Sequence, residues 1–261
     1  MSIKRNINNK RKLPLPALGI VLSLLSTTVG SVYAAEQPME TSSQPFVLKL
    51  GASRLIYNPA SNGATIAVSN QQDYPILVRS QVFAENKTSP APFVVTPPLF
   101  RLDGQQQSRL RVVNTGGQMP SDRENLNWLC VTGIPPQSDD AWAADKEGKS
   151  AAPKSVSLNV QVSVQNCIKL LVRPSSIGPL ADRASSLVWT RQGNALNVNN
   201  PTPFYMNLSR VTVGGANVEQ LQHIAPFSSH SFTLPKGAAG QVQWQVITDA
   251  GGQSRMYQAS L

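Results

Sequence analysis

Charge is scarce in this sequence: Asp, Glu, Lys and Arg together make up 14% of 261 residues. Histidine and cysteine are scarcer still, with two of each. His223, His230, Cys130 and Cys167 show no zinc-ligand spacing, so no metal centre is expected. No nucleophile elbow of the form G-x-S-x-G occurs, and neither histidine lies in a recognisable catalytic motif. A Gly-rich phosphate loop is missing too. These absences argue against an enzyme and give no reason to expect a cofactor. Helical periodicity is nearly absent, and no second long apolar run follows the N-terminal one, so no membrane insertion of the mature chain is expected. The antibody-type order Cys…Trp…Cys also fails, because Trp128 precedes Cys130.

The formal charge of +9 raises nucleic acid or membrane as partners. Much of that charge sits in one place. Lys4, Arg5, Lys10, Arg11 and Lys12 precede an apolar segment, 13–29, and residues 1–34 hold no acid. Without them the chain has 18 basic and 14 acidic residues, a net of +4, which rarely implies a polyanion partner. The basic stretch, the apolar segment broken by Pro14 and Pro16, and the small residues around Val32-Tyr33-Ala34 read as a secretory signal cleaved after Ala34. A membrane anchor is the other reading, although the seventeen interrupted residues 13–29 barely span a bilayer. Export to an oxidising compartment favours pairing Cys130 with Cys167.

Short segments rich in Val, Ile, Thr, Phe and Tyr alternate with Gly, Pro, Asn and Asp clusters. Examples are 65–69, 76–83, 108–113, 156–164, 196–198, 205–213 and 241–248. Many short strands with turn signals predict all-β sandwiches. Around Pro174 and Pro179 extended chain is expected, and a domain boundary is placed there. Residues 135–154 are small and polar, a long loop by globular standards. The loop leads into the most regular strand pattern in the chain. Val156, Leu158, Val160, Val162 and Val164 share one parity, and Ser157, Asn159, Gln161, Ser163 and Gln165 take the other. Such a row is either an ordinary half-buried strand or an exposed strand that must meet a partner. Asn166 interrupts it, and Ile168, Leu170 and Val172 resume it as expected core.

Four blocks resemble the periplasmic pilus chaperones. One is Met119-Pro120-Ser121-Asp122-Arg123-Glu124-Asn125-Leu126-Asn127-Trp128-Leu129-Cys130-Val131-Thr132-Gly133-Ile134-Pro135. The others are Phe93-Val94-Val95-Thr96-Pro97-Pro98-Leu99-Phe100-Arg101-Leu102, Ile168-Lys169-Leu170-Leu171-Val172-Arg173-Pro174 and Asn200-Pro201-Thr202-Pro203-Phe204-Tyr205. One departure is Asn125, where Ser, Thr or Arg is more usual. The long loop, the Cys pair and residues 35–45 resemble the FGL branch, which serves thin fibres or capsule-like antigens. The resemblance implies two immunoglobulin-like domains set at an angle with a cleft between them. Their expected bounds are 35–173, with the long loop at about 135–154 and a donor strand at about 155–172, and 174–261.

The same resemblance implies a periplasmic chaperone that caps fibre subunits and delivers them to an outer-membrane usher by donor-strand complementation, a recognised β-augmentation mode. The alternative is a secreted immunoglobulin-like adhesive module. Strand donation falls to Val156, Leu158, Val160, Val162 and Val164, with the first strand assisting through Phe46, Leu48 and Leu50. Arg54, in Ser53-Arg54-Leu55-Ile56-Tyr57, and Lys169 are expected to anchor the subunit's terminal carboxylate. Lys169 has the parity opposite to the aliphatic row, so it can face the cleft while the row faces elsewhere. Glu124, Arg173 and Asp249 match the family's interdomain ionic network. A Cys130–Cys167 bridge would close the long loop at its base. Exposed aliphatic strands can also be capped by a second copy of the chain, giving a self-capping homo-oligomer.

Overall fold

The computed structural model of the chain describes residues 47–137, 140–143 and 162–261. The first half contains nine strands: β1 (Leu48–Leu50), β2 (Arg54–Tyr57), β3 (Ala64–Asn70), β4 (Ile76–Ala84), β5 (Phe93–Thr96), β6 (Leu99–Leu102), β7 (Gln107–Asn114), β8 (Asn125–Ile134) and β9 (Val164–Val172). They form two sheets, β1-β3-β7-β5 and β2-β9-β8-β4-β6. Along β4, Ile76, Val78, Ser80 and Val82 are buried, while Arg79 and Gln81 are exposed. That period of two is the signature of a sheet with one face on a core. Ile66, Val68, Val78, Leu110, Val112, Leu129, Leu170 and Val172 meet between the sheets. Each such side chain contributes about 1.5–3 kcal/mol of burial. Tyr57 sits edge-on to Phe93 at 5.3 Å, and its hydroxyl accepts a hydrogen bond from the Asn114 N–H at 3.0 Å.

The second sandwich is built from β10 (Val188–Gln192), β11 (Ala195–Asn200), β12 (Met206–Val213), β13 (Ala216–Asn217), β14 (His223–Ile224), β15 (Ser228–Thr233), β16 (Val242–Val246) and β17 (Tyr257–Ala259). Its sheets are β10-β11-β15 and β13-β12-β16-β17, with β14 also on β12. A separate core gathers Trp189, Leu196, Val198, Phe204, Met206, Val211, Phe232 and Trp244. The turn from β12 to β13 uses Gly214 and Gly215 at φ 56° and 86°. A Cβ on Gly214 would lie 2.1 Å from the Ala239 carbonyl oxygen, so this hairpin admits only glycine there. The all-β expectation thus resolves into two immunoglobulin-like sandwiches.

Two expectations are corrected. The segment after Arg173 is extended at Pro174 (φ −63°, ψ 145°), but Ser175–Ile177 and Ala181–Ser186 form 3-10 turns. Pro restricts the residue before it and not the residues after it, so the chain is free to turn. The strand read as 156–164 begins, among the described residues, at Val164 and runs to Val172; Val156, Leu158 and Val160 lie outside those residues, and Val162 precedes the strand. Asn166 interrupts the apolar row but not the strand: its side chain donates to the Leu48 carbonyl at 2.7 Å, and the residue stays paired opposite Val131.

The first strand is described only in part. Leu48 is 2% exposed and fills the first core, and Leu50 packs against that core, because alternation along β1 turns both inward in the free chain. Phe46 lies outside the described residues.

Candidate functional site

The long strand β9 has two neighbours. It runs antiparallel to β8 along its whole length and parallel to β2 over its last four residues, with Arg54 opposite Lys169 and Tyr57 opposite Val172. Residues 164–168 therefore carry a ladder on one side only, among the described residues. An unpaired ladder edge is a template for a further strand. Upstream of it, Val162 is 60% exposed. Cys130 and Cys167 face each other on β8 and β9 and are joined by a disulfide, so the base of the long connection is closed covalently.

Alternation assigns the two faces of β9. Leu170 and Val172 enter the first core, while Lys169 and Leu171 point the other way. On that outer face Leu171 and Leu126 pack with Tyr205 of the second sandwich, flanked by Ile56, Trp128 and Ala225. The two sandwiches therefore meet through the strand pair β2–β9 and the segment entering β12.

Glu124, Arg173 and Asp249 are brought together at this junction. Arg173 donates through Nε to Glu124 at 2.7 Å and through both terminal nitrogens to Asp249 at 2.6 and 2.7 Å. The second oxygen of Glu124 accepts from the Tyr205 N–H at 2.8 Å. Such paired, hydrogen-bonded geometry is what a buried carboxylate requires. Glu124 is 2% exposed, and burial raises its pKa despite the pull of Arg173. The Asn200 amide bonds the carbonyls of Phe204 and Ala225 at 2.8 and 2.9 Å, which holds the loop that presents Tyr205.

Arg54 and Lys169 are also brought together, since they are register partners in the β2–β9 ladder. Arg54 is 7% exposed. One terminal nitrogen donates to the Ile247 carbonyl at 3.1 Å, and its Nε is buried with no hydrogen-bond partner among the described residues. Lys169 donates to the Asn207 side-chain oxygen, and its ammonium lies 5.8 Å from the centre of the Trp128 ring. No ion pair to an acid is recorded for either cation among the described residues. Burial, then the neighbouring charges of Arg54 and Lys87, bring the Lys169 pKa down to about 8. Burial likewise lowers that of Arg54, against the pull of Asp249 and Glu124. Two desolvated cations side by side make a site that an anion would complete.

Sequence reasoning missed the surroundings of this pair. Lys87 stands 3.9 Å over the Trp128 ring, and the Trp128 N–H donates to the Glu85 carbonyl at 3.1 Å. His223 reaches Glu85 at 3.6 Å, with its ring 5.6 Å from that of Tyr205. Burial, then Lys169, lowers the His223 pKa. Only Trp128 and Tyr205 lay in the family-like blocks; nothing in the sequence tied Asn207 or His223 to this site.

The chain matches the family model described as "Pili and flagellar-assembly chaperone, PapD N-terminal domain" over residues 47–178. It matches "Pili assembly chaperone PapD, C-terminal domain" over residues 182–258. Chaperone protein AfaB of Escherichia coli is 55% identical over 225 residues, spanning 83% of this chain and 91% of that protein. The crystal structure of the E. coli chaperone DraB is 55% identical, with a TM-score of 0.72 over 83% of this chain and 97% of its own. A chain in the structure of the Salmonella enterica SafA pilin in complex with the SafB chaperone is 46% identical, with a TM-score of 0.75 over 84% and 99%.

Proposed function

The chain belongs to the PapD-type pili-assembly chaperones, and on that footing we propose that it works in the periplasm, caps fibre subunits by lending β9, and hands them to an outer-membrane usher. The relative in complex with a pilin supports a subunit as the partner. The observation that carries the reading is the Arg54–Lys169 pair: a buried guanidinium whose Nε has no partner among the described residues and a half-buried ammonium, at the end of a strand whose other half is, among the described residues, open on one side. A carboxylate arriving there gains charge-assisted hydrogen bonds, and Arg can hold both of its oxygens. With the subunit's last residue held at Lys169, the register of its edge strand along β9 follows. A slip of one residue would turn the apolar row to the wrong face.

The anchor has a pH signature. A carboxylate binds the protonated form of Lys169, so capture is at full strength below a pH of about 8. Affinity then falls as pH rises, by up to roughly tenfold per pH unit while Lys169 is neutral free and charged bound. The free chaperone has the opposite sign. Its folded-state pKa is depressed, so the unfolded chain holds more protons between about 8 and the ordinary lysine value, and stability rises with pH in that window. Binding of a subunit with a free terminus, compared with one amidated at its terminus, tests the first point from pH 7 to 10, and urea unfolding of the free chaperone over the same range tests the second. Equal binding of the two forms would sink the anchor.

Strand donation has its own test at Val162. Val162→Asp should unfold as cooperatively as the native chaperone, because the position is 60% exposed. Capture should be lost, because a carboxylate would enter the apolar groove of the subunit at a cost of several kcal/mol. Loss of the variant's own cooperative unfolding would mean that the row belongs to the chaperone's core.

A further inference from the structure

Both anchor cations are held by one rung of the second sandwich. The Ile247 N–H donates to the Asn207 carbonyl at 2.8 Å, which ties the end of β16 to the start of β12. From that rung the Ile247 carbonyl accepts from Arg54, and the Asn207 side-chain oxygen accepts from Lys169. Arg54 and Lys169 are themselves register partners in the first sandwich. One ladder step therefore faces another across the junction, and each cation is tied to the far side by one hydrogen bond.

Asn207 is suited to this task. It is 4% exposed, and its amide nitrogen donates to the Tyr205 carbonyl at 3.1 Å, which fixes the side chain with its oxygen toward Lys169. Tyr205 is in turn bonded to Glu124 through its N–H. The position of Asn207 thus descends from the Arg173–Glu124–Asp249 contacts that join the sandwiches. We propose that Asn207 is a positioning residue for carboxylate capture, holding one ammonium proton of Lys169 so that the others face the incoming subunit terminus. This rests on the anchor reading above and adds that the second sandwich sets the anchor's aim. A neutral acceptor suits the site. An ammonium has three donors and Asn207 takes one, leaving the charge uncancelled for a ligand.

The groups around the Lys169 ammonium are Arg54 from β2, Lys87 from the turn after β4, the Trp128 ring from β8 and, more remotely, His223 from β14. Arg54, Lys87 and protonated His223 disfavour the charged form, so loss of the Asn207 acceptor leaves Lys169 harder to protonate. An acid at position 207 does the reverse and also competes with the ligand.

The experiment uses the mature chaperone and a synthetic peptide of alternating valine and threonine, with a free or an amidated terminus. The Lys169 titration is followed by NMR of labelled lysine, assigned with Lys169→Arg. Asn207→Ala should weaken the free-acid peptide by roughly five- to tenfold, leave the amidated peptide unchanged, and lower the Lys169 pKa. Asn207→Asp should also weaken the free-acid peptide but raise that pKa; a merely structural defect would not move the two titrations in opposite directions. Asn207→Ala carries the test alone if the Asp variant does not fold. An unchanged preference for the free acid, with an unmoved Lys169 titration in Asn207→Ala, overturns the role of Asn207 and leaves the anchor standing. Equal binding of the two peptides by the unsubstituted protein overturns the anchor as well.

Discussion

A chaperone carrying Arg54→Ala, or Lys169→Ala, is expected to fold and to fail in subunit capture. Each charge-assisted hydrogen bond to a carboxylate contributes about 1.5–3 kcal/mol, and Arg54 is able to make two. Affinity should therefore fall by roughly a hundredfold or more in Arg54→Ala, beyond what subunit accumulation in the periplasm would survive. Free-chaperone stability should change by about 1 kcal/mol or less, because Arg54 has one hydrogen bond to lose and Lys169→Ala relieves repulsion between two desolvated cations. The double variant should be little worse than either single one, since both residues hold one group. Co-purification of chaperone and subunit measures capture, and urea unfolding of the free chaperone measures the cost to folding. Normal capture by both alanine variants would refute the anchor while leaving strand donation by β9 intact.

The second large effect is on stability. Arg173→Ala should cost about 3–5 kcal/mol, because it leaves Glu124 buried at 2% exposure without its ionic partner. The sign with pH identifies the cause. Burial already raises the Glu124 pKa, so the folded state holds that proton to higher pH than the unfolded chain does. Removing Arg173 raises it further. A carboxyl with a raised folded-state pKa loses stability as pH rises through that value. The variant should therefore recover part of its loss on acidification, to a greater extent than the native protein. Asp249→Asn should cost much less, since the Asp249 side chain is 36% exposed and water replaces part of the contact. A loss in Arg173→Ala that does not vary with pH would point to lost packing of the guanidinium over Phe204, 5.2 Å away, instead of an orphaned carboxylate.

These two effects are coupled through a short path. Glu124 bonds Tyr205, the Tyr205 carbonyl bonds Asn207, and Asn207 bonds Lys169. The contacts that join the sandwiches also hold the groups that face the Arg54–Lys169 pair.

Strand alternation was legible from the residues. Lys169 sits out of phase with Leu170 and Val172, so its facing away from the first core follows from a period of two. The all-β character followed from short β-branched runs between turn residues, and the four chaperone-like blocks carried the family resemblance. Where the reading was off, a rule was applied too widely: proline restricts the residue before it, and the chain after Arg173 turns where extended backbone was expected. Leu48 and Leu50 fill their own sandwich in the free chain, as one parity of a strand must. Asn166 does interrupt the apolar row, and its amide reaches the Leu48 carbonyl.

By itself the sequence determined which residues of a strand share a face, because that depends on local alternation. It also named Arg54 and Lys169, through motifs that survive in order. Only the tertiary structure decided what stands opposite them. The Arg54–Ile247 bond joins residues 193 apart in the chain, and its acceptor is a backbone carbonyl, which every residue has. Asn207 lies on a strand of mixed core and surface residues, and its oxygen meets Lys169 only because the two sandwiches dock as they do. Domain docking is set by a few long-range contacts with no period and no spacing, so no local pattern records it.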